Sequence, residues 1–299
     1  MAQRNGDVDA ARRARARKGL LVYFAVLVPL SAAVEGAMLS TGRPIGESTL
    51  LVFLLMWSPA VASAVARLVL REGIRDVSFR VGGRTGLAAL GLAWVYPLPV
   101  ALVAYGAAWG SGLAAFRLPS ELAGLPLGSP FLALVLTMAT LGTLLSCLSA
   151  AGEEIGWRGY MLTRLVEAGV PQPALLSGVL WAAWHLPLIL SGQYAAGPKP
   201  QLSAAAFVGT VVAIAWVMAR LRLESGSVWP AVLLHGSWNA VVHGAFDAST
   251  AEPGIWVGEG GLLVLLVNGA LALLVVRGRW PFRRSPAEAP FGGHGTGAA

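Results

Sequence analysis

The chain has 299 residues, of which 56% are hydrophobic and only 12% charged, roughly half the charged share of an ordinary globular domain. With a mean hydropathy of +0.67, a water-soluble domain is excluded as the main body of the chain. A formal charge of +7 would suit a nucleic-acid partner, but basic residues placed between apolar runs have a simpler origin in membrane insertion, which gathers Lys and Arg on the cytoplasmic side.

A helix needs about 20 apolar residues to cross a hydrocarbon core of about 30 Å. Eight runs meet or approach that length: Leu20–Met38, Leu50–Leu70, Leu87–Trp109, Phe131 to about Gly152, Ala174–Leu190, Leu202–Leu221, Val228–Phe246 and Gly261–Val276. The polar stretches between them are too short for a second domain. The expectation is an all-α polytopic transmembrane bundle: a basic cytoplasmic tail at 1–18, one membrane domain at 19–284, and a disordered Gly-, Ala- and Pro-rich tail at 285–299. The first tail also lacks apolar periodicity and is expected to be poorly ordered. Pro29, Pro59, Pro97 and Pro99 fall inside the runs and predict kinks rather than chain breaks, because neighbouring helices can satisfy the freed carbonyls. No internal repeat is visible, which argues against a transporter built from duplicated halves.

The basic residues give an orientation. An amino terminus in the cytoplasm places on that side Arg4, Arg12, Arg13, Arg15, Arg17 and Lys18 of the tail and Arg71, Arg75, Arg80 and Arg84 of the second loop. Arg158, Arg164, Arg220 and Arg222 of the fourth and sixth loops follow, then Arg277, Arg279, Arg283 and Arg284 at the carboxyl end. The opposite side holds Arg43, Arg117 and Lys199. The reading is a multi-pass protein of the cell membrane with both termini cytoplasmic, its partners being the lipid bilayer and no nucleic acid. A cleavable signal peptide is the competing reading of the first segment, and seven remaining spans would fit the same charges. Cys147 is the only cysteine, so no intrachain disulfide forms; it is expected to be packing.

Ionisable groups at membrane depth are costly and each needs a reason. The fourth run ends in Ala-Gly-Glu-Glu-Ile-Gly-Trp-Arg-Gly, the fifth contains Trp-Ala-Ala-Trp-His-Leu-Pro, and the seventh contains Leu-Leu-His-Gly-Ser-Trp-Asn. Glu154 and Arg158, four apart, share a helical face in the acid-before-base order that favours pairing. Glu153 points about 100° away and has no neutralising partner in its own helix, which suits a general base. The plainer alternative is that both glutamates are solvated at the cytoplasmic interface. His235, Asn239 and His243 form one stripe at helical spacing. An imidazole and a carboxamide on one face can stabilise an oxyanion, or act as interhelical glue. His185 lies one turn after Trp181 and two residues before Pro187. Glu35, Arg67 and Asp247 lie near run ends, where interfacial solvation accounts for them.

Three motifs in order, Glu153-Glu154 with Arg158, Trp181 with His185, and His235 with Asn239, resemble those of the type II CAAX prenyl protease family, the CPBP or Abi group of intramembrane peptidases. The resemblance covers roughly 131–246. The family usually has Phe where this chain has Trp181, and His243 is outside its pattern. The resemblance implies an endopeptidase acting on a peptide or membrane-associated protein. Glu153 would activate water, Glu154 and Arg158 would hold the first motif in shape, His185 would position the water, and His235 and Asn239 would stabilise the oxyanion. The expected scissile bond lies at or below the cytoplasmic membrane surface. No cofactor is favoured; if zinc is bound, its ligands would be Glu153, His185 and His235. A non-catalytic bacteriocin-immunity or scaffolding protein of the same fold, or a proton-coupled transporter, are the rival classes.

Overall fold

The computed structural model describes residues 2–42, 47–122, 129–195 and 197–277; the expected disordered tail at 285–299 lies outside them. The chain is an all-α polytopic helical bundle. Among the described residues, six helices are long and apolar enough to cross a membrane: Val8–Thr41, Thr49–Leu70, Gly83–Ser111, Pro130–Glu167, Pro173–Leu190 and Pro200–Ser225. Two of the eight expected runs take other forms. The seventh, whose apolar character His235, Asn239 and His243 dilute, is α10 (Trp229–Trp238) continued by a π-helical segment, Asn239–Asp247. The eighth is the shorter α11, Leu262–Arg277.

In chain order the remaining helices are α1 (Ala2–Thr41), α2 (Thr49–Leu70), α3 (Gly83–Val95), α4 (Pro97–Ser111), α5 (Ser129–Thr137), α6 (Thr143–Gly156), α7 (Leu162–Glu167), α8 (Pro173–Leu190) and α9 (Pro200–Ser225). Tyr96, between α3 and α4, keeps helical dihedrals, so Pro97 does not break the run. Further π-helical segments, Met138–Gly142 and Trp157–Met161, join α5 to α6 and α6 to α7. Two short antiparallel strands, β1 (Ala115–Phe116) and β2 (Thr250–Ala251), tie two loops together at one end of the bundle.

The basic tail departs from expectation. It continues α1 rather than lacking structure, because its charges find partners: Arg12 pairs with Glu167 at 3.2 Å and Arg15 with Glu72 at 3.3 Å. Arg164 reaches Glu72 at 2.9 Å and Asp76 at 2.8 Å. Arg222 donates to the Asp76 carbonyl and Arg220 to the Val276 carbonyl. The tail, the α2–α3 loop, the ends of α7 and α9 and the last turn of α11 therefore share one Arg-rich end. Arg67 belongs to this network rather than to solvent: it is buried, pairs with Asp76 and lies 4.8 Å over the Tyr160 ring. Glu35, also expected at a solvated interface, is likewise buried. Packing explains both corrections, since neighbouring helices cover positions that lie near run ends.

One close approach sets the centre of the bundle. α6 presses on α2 through Gly152 and Gly156, a pair of glycines four apart of the kind that lets membrane helices touch backbone to backbone. A Cβ on Gly152 would sit 2.7 Å from the Met56 carbonyl oxygen, and one on Gly156 2.4 Å from Pro59 Cβ. These glycines flank Glu153 and Glu154, so the contact also fixes where the carboxylates project. Gly156→Val is expected to overpack the contact at a cost of about 1–3 kcal/mol, read as lost membrane abundance and thermal stability. Gly106, where an added methyl would meet nothing within 4 Å, should accept Ala without loss; equal behaviour of the two variants would contradict the close-contact account.

Candidate active site

Glu153 and Glu154 are 2% and 0% exposed, which rules out the reading in which both are merely solvated at an interface. The two carboxylates face different partners, as their 100° separation requires. Glu154 Oε1 accepts from Arg158 Nη1 at 2.8 Å and from His235 Nδ1 at 3.0 Å. Arg158 is fully buried, and its guanidinium lies 4.2 Å over the Trp181 ring, a favourable cation–π placement. Glu153 Oε2 instead accepts from the Trp181 indole Nε1 at 2.6 Å, and its Oε1 lies 4.0 Å from His235 Nε2. His235 thus stands between the two glutamates, with one ring nitrogen toward each.

His185 is fixed through Nδ1, which donates to the Trp181 carbonyl at 2.8 Å. A carbonyl can only accept, so this bond assigns the Nδ1–H tautomer to the neutral ring and leaves Nε2 as an acceptor. Trp184, Tyr194 and Phe207 enclose the ring.

Glu153, His185, His235 and Asn239 all line one cavity of about 250 Å³, whereas Glu154 and Arg158 do not. Its other walls are largely apolar and aromatic, including Leu55, Phe207, Val211, Ile214 and Met218. Its lining includes Glu153 of α6 and also Tyr194 and Glu259 of the loops after α8 and before α11. Among the described residues, no three His, Cys, Asp or Glu side chains form a group of the kind that holds a metal ion.

Four contributions escaped the sequence. Trp181 differs from Phe by the N–H that bonds Glu153. His243, unexplained by motif, lies in the same cavity, with Nδ1 2.8 Å from Asp247 Oδ2 and Nε2 3.1 Å from Glu259 Oε1. Asp247, expected to be solvated, is only partly exposed and also accepts from Tyr105. Glu259, in the loop before α11, accepts from Trp238 Nε1 at 2.7 Å and from the Tyr194 hydroxyl. No spacing rule points to Glu259, because it comes to the site by tertiary packing. Cys147 packs against Gly236, its thiol 3.7 Å from the Val232 carbonyl.

Residues 131–241 match the model of a family described as type II CAAX prenyl endopeptidase Rce1-like. The match spans α5 to the start of the π-helical segment at Asn239 and contains all three motifs. The match covers less than half of the chain; it supports a relationship to the CPBP family of membrane peptidases and, at family level, a CAAX protease-type intramembrane endopeptidase. No curated protein matches it.

Trp181→Phe keeps an aromatic ring beneath Arg158 and removes only the donor to Glu153. A hydrogen bond to a charged group contributes about 1.5–3 kcal/mol, so turnover should fall roughly 10- to 100-fold with KM and membrane abundance unchanged. Unaltered turnover would show that the indole does not position the carboxylate.

Proposed function

We propose that the protein hydrolyses a peptide bond, in a peptide or a membrane-associated protein segment, by direct attack of a water activated by Glu153. The observation that carries this reading is the division within the first motif: Glu153 lines the cavity with His185, His235 and Asn239, while Glu154 and Arg158 are turned away from it. Glu153 takes a proton from water as the oxygen attacks the carbonyl carbon. His185, held through Nδ1, offers Nε2 to accept the second hydrogen of that water, which aims the oxygen lone pair at the substrate.

Asn239 and His235 stabilise the oxyanion. Asn239 contributes its side-chain N–H. His235 gives Nδ1–H to Glu154, so donation from Nε2 as well requires the imidazolium, and the Glu154 carboxylate beside it is the counter-charge for that form. Collapse of the tetrahedral intermediate breaks the C–N bond, and the proton held by Glu153 passes to the leaving amine. Glu154 and Arg158 are positioning residues, acting through His235 and through the Trp181 ring. The protein lies in the cell membrane with its Arg-rich end and both termini in the cytoplasm.

Substitution should separate activity from folding. In Glu153→Gln the Gln carbonyl still accepts from Trp181 but cannot act as the base, so the protein should accumulate normally and lose turnover. Arg158→Ala leaves Glu154 buried without its cation, and breaking such a pair costs about 3–5 kcal/mol; Glu154→Gln strands Arg158 in the same way. Both should lose abundance and thermal stability. A folded but inactive Glu154→Gln beside an active Glu153→Gln would move the base by one residue. Normal cleavage by all three variants would remove the first motif from the chemistry, and absence of cleavage by the folded native chain would leave the immunity or scaffolding class as the better account.

A further inference from the structure

Each peptide hydrolysis consumes a water and releases a carboxylate and an amine, none of which crosses apolar surroundings cheaply. The walls of the catalytic cavity are mostly apolar, so an aqueous connection is a physical requirement of the proposed chemistry. The polar boundary lies at one end. A second cavity, of about 650 Å³, is built from the loop after α8 and the loop before α11, with Gly192, Gly254, Gly258 and Gly260 in its wall. Three residues line both cavities: Tyr194, His243 and Glu259.

Glu259 joins these parts. One carboxylate oxygen accepts from Trp238 and faces His243, while the other accepts from Tyr194. Trp238 is the residue before Asn239, and His243 lies one helical turn beyond Asn239, so the same carboxylate contacts both the wall and the helix carrying the proposed oxyanion donor. The glycine-rich side of the wall presents little side-chain obstruction, and its loops lie at the end of the bundle that carries the β1–β2 pair, opposite the Arg-rich network.

We infer that water and the hydrophilic flank of the substrate reach the catalytic cavity from this loop end, through a passage formed by Tyr194, His243 and Glu259, with the Tyr194–Glu259 hydrogen bond as its latch. This rests on the peptidase reading of the cavity. Combined with the orientation proposed above, it means that the substrate is a peptide or protein segment presented from the non-cytoplasmic face.

The test is sided labelling of single cysteines in a Cys147→Ala background, using a membrane-impermeant thiosulfonate on intact cells and on inverted vesicles. Glu252→Cys reports the loop end and Arg75→Cys the Arg-rich end, while Asn239→Cys reports the cavity; His185→Cys replaces it if that variant does not accumulate. The cavity cysteine is expected to react from the same face as Glu252→Cys, and several-fold faster when Tyr194→Phe removes the latch. Reaction from the face of Arg75→Cys, or from neither face, would overturn the passage. Because labelling needs no turnover, a chain with the expected sidedness but no proteolytic activity would refute the peptidase reading while leaving the passage standing.

Discussion

A buried charge without water around it has to be neutralised and hydrogen-bonded by the protein itself, and here that demand is concentrated on Arg158. Its guanidinium is enclosed between the Glu154 carboxylate and the Trp181 ring. Glu154 then holds His235 through Nδ1, and Trp181 holds Glu153 through its indole. One fully buried cation therefore links α6, α8 and α10 and orients two groups that line the cavity. Desolvation of such a cluster is so unfavourable that its members must assemble together, which makes it a specification of helix arrangement as well as a scaffold for chemistry.

The backbone serves the same end. Gly152 and Gly156 let α6 lie against α2 more closely than any side chain would permit, and π-helical segments begin immediately after α6 and at Asn239. Such segments are often found at functional sites. An added residue in a turn shifts the following positions around the helix axis. His243 lines the same cavity as Asn239, and Asp247 meets both His243 and Tyr105.

Most of the membrane architecture was legible from apolar run length, because hydrocarbon thickness fixes how long a spanning helix must be. The pairing of Glu154 with Arg158 was legible too, since helix geometry brings residues four apart together. The contacts that cross between helices were not. The bond from Trp181 to Glu153 joins residues 28 apart, and that from Trp238 to Glu259 joins residues 21 apart through a loop; no periodicity encodes either. Burial at run ends was misjudged for Glu35 and Arg67 because one-dimensional hydropathy cannot register a neighbouring helix. The order in the basic tail was missed for a related reason: Arg12 and Arg15 find acidic partners on α7 and in the α2–α3 loop.

The central claim is that Glu153 converts a membrane-embedded cavity into a site of peptide hydrolysis. The most direct measurement compares, by terminal-peptide proteomics, membranes containing the native chain with membranes containing equal amounts of Glu153→Ala. The account predicts a set of new protein termini that accumulates only with the native chain, with the corresponding intact substrates enriched in the variant. Identical termini and identical intact proteins in the two membranes, at matched and folded levels of the chain, would contradict it.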